Sequence, residues 1–293
     1  MRHLLEMKRF AGIIALVIAL VLCASSASAH KFVLSPDNFA VPRNSKSGIS
    51  VTFTEIIGST ELSLSVTKGY FNPMTVSFDV IYIDGTSSDI LSSDFKPSND
   101  SGAEYVSFDV AETGTVIVRG KFNGIMDLSN FGLTGTATTI SHVKTFLNLS
   151  NDGMATKRLE GSEFLEVVFA DEVPSGGVRV GDAVRFKFFL NGQPLRNAPV
   201  FASYAGAPIY EITEDSEQVA VNDYLETTTD DDGAATFKPD SPAPWFVGAF
   251  DATTAISYGG GILFNVSDNP SPRGRFVKEG FDYSFLSIAV FST

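Results

Sequence analysis

Cysteine is nearly missing from this chain: its 293 residues hold one, Cys23, inside an N-terminal apolar run. Beyond that run no disulfide, thiolate metal site or cysteine nucleophile can form. Histidine is almost as scarce, at three. Only His30 and His142 lie past the first few residues, which leaves little material for a many-ligand metal site or a Ser-His-Asp arrangement. Positive charge is in deficit, with 21 Lys and Arg against 34 Asp and Glu and a formal net charge of −13. A chain this acidic lacks the basic footprint that nucleic acid requires. The G-x-S-x-G, H-E-x-x-H and P-loop patterns are absent, and no spacing marks two carboxylates as an acid–base pair. Beyond the N-terminal run, no apolar stretch is long enough to cross a bilayer, and no amphipathic helix of convincing length stands out.

The N-terminus has the three parts of a secretory signal. Met1 to Arg9 is basic, Ala11–Cys23 is a 13-residue apolar run, and Ala27-Ser28-Ala29 supplies the small-residue end. The run is shorter than the roughly 18 to 20 residues of a comfortable span. Leu22 before Cys23 does not suit a lipoprotein signal, which wants a small side chain there. Residues 1–29 are therefore expected to be a cleaved signal peptide and the mature chain to be exported to the periplasm. Losing Arg2, Lys8, Arg9 and Glu6 moves the net charge from −13 to −15, which favours solubility and mild attraction of cations.

The remaining pattern is β almost throughout. Thr75–Asp84 alternates, with Val76, Phe78, Val80 and Tyr82 on one face; Tyr105–Val110, Thr115–Phe122, Val143–Leu149, Ala183–Leu190 and Tyr283–Phe291 read the same way. Period-two alternation of branched and aromatic side chains is the strand signal. Asp84-Gly85, Asn191-Gly192 and Asp232-Gly233 are hairpin turn pairs. The polar stretch Asp171–Gly177 marks a boundary. The expected architecture is all-β: two consecutive β-sandwich domains, 30–170 and 175–293, the second Ig-like or transthyretin-like. Trp245 is expected in the second core, and Met74, Met126 and Met154 as core filling. Asp230-Asp231-Asp232 lacks the ligand spacing of a calcium loop and reads as a solvated turn.

The metal-competent residue is His30. A cut after Ala29 makes it the N-terminal residue, offering an α-amine and an imidazole to one ion. A cut after Ala27 leaves Ser28-Ala29-His30, whose amine, two amides and imidazole form a square-planar set suited to Cu(II) or Ni(II). His142, at the head of Ser141–Leu149, is the second candidate metal ligand. With the terminal amine and His30 it would complete a three-nitrogen histidine brace if the two segments lie side by side.

Taken in order, Ala29-His30, Phe32–Asp37, Ser141–Leu147, Val178–Asp182, Gly192–Leu195, Asp232-Gly233 and Pro244–Val247 resemble a bacterial family associated with the periplasmic component of cobalt/nickel ABC-type uptake systems, otherwise described as a domain of unknown function. Ser141-His142-Val143-Lys144-Thr145-Phe146-Leu147 is similar to that family's S/Y-x-A-K-A-L-L strand. The resemblance implies a periplasmic two-sandwich protein that handles a divalent transition metal, with His30 as the ligand carried over. The expected function is thus a nickel-, cobalt- or copper-binding accessory that delivers its ion to an inner-membrane importer, with no organic cofactor. Two other functions remain open: an Ig-like binding or adhesion module without metal, and a copper histidine-brace oxygenase.

Overall fold

The computed structural model describes residues 31–54, 71–91, 94–97, 104–110, 113–127, 135–159, 164–205, 207, 210–212, 218–220, 225–252 and 256–268. His30, the expected signal and the expected strand Tyr283–Phe291 lie outside them. The described residues form nineteen β-strands: β1 (Lys31–Pro36), β2 (Ser45–Thr54), β3 (Phe71–Ile81), β4 (Ser87–Ile90), β5 (Lys96–Pro97), β6 (Glu104–Val110), β7 (Val116–Asp127), β8 (Thr136–Leu147), β9 (Leu165–Phe169), β10 (Val178–Arg179), β11 (Val184–Leu190), β12 (Gln193–Pro194), β13 (Pro199–Tyr204), β14 (Tyr210–Ile212), β15 (Gln218–Ala220), β16 (Leu225–Thr228), β17 (Ala234–Phe237), β18 (Pro244–Ala252) and β19 (Ile256–Ser267). The chain is all-β, as the alternation predicts, and its layers pack as sandwiches.

Three layers carry the fold. A central sheet follows the order β16-β13-β18-β19-β8-β7-β3-β4, with β10 beside β19. The sheet β1-β2-β6-β5 covers one face of this sheet mainly over β8, β7 and β3, and β9, β11, β17 and β12 cover the opposite face mainly over β13, β18, β19 and β8. The first core packs Phe32, Leu34, Ile49 and Val51 against Phe78, Val118, Phe122 and Val143. The second packs Phe169, Phe186, Phe188 and Phe237 against Phe146, Trp245, Ile262 and Phe264. Each buried aromatic or branched side chain contributes about 1.5–3 kcal/mol of transfer free energy. Trp245 is fully buried there, its indole N–H donating to the Ser241 carbonyl at 2.9 Å.

The turn chemistry follows the sequence. Gly85 sits at φ 85° in the β3–β4 hairpin, and Asn191 and Gly192 at 51° and 79° between β11 and β12, the two positive values a tight hairpin demands. In the Asp230–Gly233 turn one Asp230 carboxylate oxygen accepts the backbone N–H groups of Asp232 and Ala234 at 2.9 and 2.8 Å. Those bonds hold its carboxyl below the usual range.

The two halves share the central sheet. β8 pairs with β19 in parallel, Ile140 opposite Tyr258, His142 opposite Gly260 and Lys144 opposite Ile262. A parallel pair needs a long crossover, and here it contains nearly the whole second half. β9 precedes the polar stretch 171–177, yet it pairs antiparallel with β11, from Leu165 opposite Leu190 to Phe169 opposite Phe186. All five of its residues are buried.

Candidate functional site

The second part of β8, from Ser141 to Leu147, is buried on both faces, and its alternation decides which residues meet which core. Val143 faces the first core: its partner across the ladder, Gly120, leaves room for the Phe32 and Leu34 side chains of β1. His142, Lys144 and Phe146 face the other way, toward β9 and the third layer. The strand that directly follows His30 therefore packs on one face of the central sheet, and His142 looks out from the opposite face. The structure places His142; His30 lies outside the described residues.

His142 is 1% exposed. Its ring lies 5.6 Å from that of Phe164, and the Lys121 ammonium sits 5.3 Å from the same Phe164 ring. Burial depresses the imidazole pKa well below its ordinary value, and the positive charges of Lys144, Arg119 and Lys121 depress it further. Around it run two ion pairs. Arg119 donates from Nε to Asp79 at 2.8 Å and makes a second contact from its terminal nitrogen to the other carboxylate oxygen. Lys144 Nζ lies 2.7 Å from Glu166 Oε1 of β9, the two side chains 1% and 2% exposed. The same oxygen accepts the Leu159 N–H at 2.8 Å, and Arg158 Nε stands 3.7 Å from Oε2. Arg158 in turn lies over Phe189, 4.2 Å from its centroid.

A neutral imidazole among three cationic side chains is a poor place for a divalent ion, since like charges repel most strongly where water is excluded. Among the described residues, no three His, Cys, Asp or Glu side chains converge in a way that could hold a metal. The Asp230–Asp232 turn is spent on its own backbone and on Arg185 at 3.1 Å. Met154 is buried, and Met74 and Met126 pack against the first core, as filling. A cavity at one end of the layers is lined by Asn38, Phe39, Phe146, Asn148, Asn265 and Ser267 among others. Its lining carries amides and hydroxyls and no titratable side chain.

The Lys144–Glu166 pair escapes a motif-based reading, although a signal for it exists. Lys144 interrupts the apolar half of β8, and Glu166 is a lone acid in Phe164-Leu165-Glu166-Val167-Val168-Phe169. A single charge inside an apolar strand demands a buried partner of opposite sign.

The state of His142 has a measurable consequence. Unfolded, its imidazole titrates near pH 6.5; folded, it resists the proton. Below about pH 6.5 the unfolded chain binds a proton that the folded chain does not, so stability falls with pH through that window down to the folded pKa. The urea midpoint should therefore drop more steeply between pH 7 and pH 5 in the wild type than in His142→Leu. Parallel pH profiles for the two proteins would show that His142 is not the group responsible.

The fold and this buried polar stripe define a layered all-β protein in which buried polar side chains join neighbouring strands. The chain belongs to the DUF4198 family, a domain of unknown function, whose model matches residues 27–252. No curated protein matches it. Among solved structures it is similar to trypsin-activated alpha-2-macroglobulin from Escherichia coli, at 13% identity and a TM-score of 0.22, over 80% of this chain and 15% of that one. It is also similar to the pilus 2b backbone protein of group B streptococcus, at 8% identity and a TM-score of 0.17, over 82% of this chain and 99% of that one. Likenesses at these scores carry no argument about function.

Proposed function

We propose that this is an exported accessory protein that binds a divalent transition metal, Ni(II), Co(II) or Cu(II), at its processed N-terminus and passes it to an inner-membrane importer. The observation that supports this reading is the placement of β1. It begins at Lys31, pairs with β2 over its whole length, and buries Phe32, Val33 and Leu34. A chain cut after Ala29 would carry its α-amine and imidazole one residue ahead of an anchored strand, with open coordination positions that allow ligand exchange. The opposed facing of β1 and His142 concentrates the reading on His30. The resemblance noted in the sequence supplies the importer.

A second reading, a sandwich module that binds its partner without metal, is favoured by the cationic surroundings of His142. One titration separates the two. Protein with a verified N-terminus at His30 should take up about one equivalent of Cu(II) or Ni(II) by calorimetry near pH 7.5, with copper tighter in the Irving–Williams order. Uptake should weaken below about pH 6 as imidazole and amine take up protons. His30→Ala should lose it and His142→Ala should keep it. Equal binding by the wild type and His30→Ala would leave the metal-free module standing.

A further inference from the structure

We infer that Lys144 and Glu166 are the site of an intramolecular amide cross-link between β8 and β9, formed by the chain itself. Nζ and Oε1 are 2.7 Å apart and both side chains are sealed from solvent, which holds amine and carboxyl in contact with no freedom left to lose. Enclosure of this kind is worth many orders of magnitude in effective concentration. The donor arrangement around Glu166 is asymmetric. Oε1 is held by the Leu159 N–H at 2.8 Å, whereas Oε2 is buried with no hydrogen-bond partner and faces Arg158 Nε at 3.7 Å. One oxygen is thus fixed as a carbonyl would be, and the other is left to depart.

The reaction balances within the pair. One ammonium proton passes from Nζ to the carboxylate and comes to rest on Oε2, and the freed nitrogen lone pair attacks Cδ. The negative charge that develops on Oε1 is met by the Leu159 N–H, a donor already in place before the reaction, while the Arg158 guanidinium stands on the side of the departing Oε2. The Cδ–Oε2 bond breaks as a further Nζ proton goes to that oxygen, which leaves as water. The product is a neutral Nζ–Cδ amide; nothing is oxidised or reduced and no co-reactant enters. The step also removes two buried charges, each of which costs several kcal/mol to hold away from water. It would tie the central sheet to the third layer in a chain that has no cysteine after residue 23 to do so.

The test is the intact mass of the full mature protein, measured under denaturing conditions so that folding of the variants after purification is irrelevant. Wild-type protein should weigh one water less than its sequence, and Lys144→Met should weigh its full sequence mass. Fragmentation should yield a branched peptide that joins Lys144 to Glu166. A wild-type mass equal to the sequence, a water loss that persists in Lys144→Met, or a branch mapped elsewhere would each overturn the cross-link.

Discussion

Gly260→Val should cost this protein on the order of 3 kcal/mol of stability or more, enough to lower the melting temperature by roughly 10 °C, given about 2–4 °C per kcal/mol for chains of this size. The reason is the contact between β19 and β9. A Cβ on Gly260 would lie 2.3 Å from the Leu165 carbonyl oxygen and 2.5 Å from Leu165 Cδ2. The oxygen is backbone, in a strand laddered to β11 by five residue pairs, so it cannot rotate aside as a side chain would. Gly259 offers the comparison within the same strand. Its nearest neighbours are Phe250 ring atoms at 3.2 and 3.3 Å and Ser141 Oγ at 3.3 Å, groups that can give a little, so Gly259→Ala should cost clearly less. Thermal unfolding of both variants decides it. Equal, small shifts would mean that β9 does not rest on β19 as described.

Glu166→Ala carries the second large effect. Removing the acid strands the Lys144 charge, 1% exposed, and takes the partner from the Leu159 N–H at the same time. Breaking a buried pair from one side costs about 3–5 kcal/mol, because the remaining charge keeps its desolvation penalty without compensation. If the two side chains are joined covalently, the variant also loses that tie, and the direction is unchanged. Arg185→Ala is the control. Its contact to Asp230 is 3.1 Å long, but the side chains are 41% and 50% exposed, and water already screens the pair. Calorimetric melting should therefore show a large drop for Glu166→Ala and almost none for Arg185→Ala. Similar losses in the two would contradict the dry environment assigned to Lys144.

The strands were readable one by one because each carries its own pattern. Phe78 and Val80 of β3 are buried as their alternation predicts, and the Asn191-Gly192 and Asp84-Gly85 turns follow from glycine's tolerance of positive φ. β9 was not readable as part of the third layer, since a short strand of four apolar residues and one acid shows only that it is buried, not what it is buried against. His142 illustrates the same gap at the level of chemistry. The sequence shows one histidine at the head of a strand; its cationic neighbours Arg119 and Lys121 come from β7, more than twenty residues away along the chain.

From its residues alone this chain is an all-β protein without disulfides after Cys23, acidic, with hairpins at its Asx-Gly pairs and with His30 as the residue best suited to a metal. Those properties are local: composition, turn chemistry and a period of two belong to neighbouring residues. Which strands pair, and which face meets which layer, came only with the folded molecule. Alternation divides β8 into two sets, Val143 with Ser141 and Thr145 and His142 with Lys144 and Phe146, but is silent on which set turns toward β1. That choice was made by long-range packing: Gly120 admits Phe32 and Leu34 on one side, Gly260 admits Leu165 on the other, and Lys144 must meet Glu166 because neither charge could be buried alone.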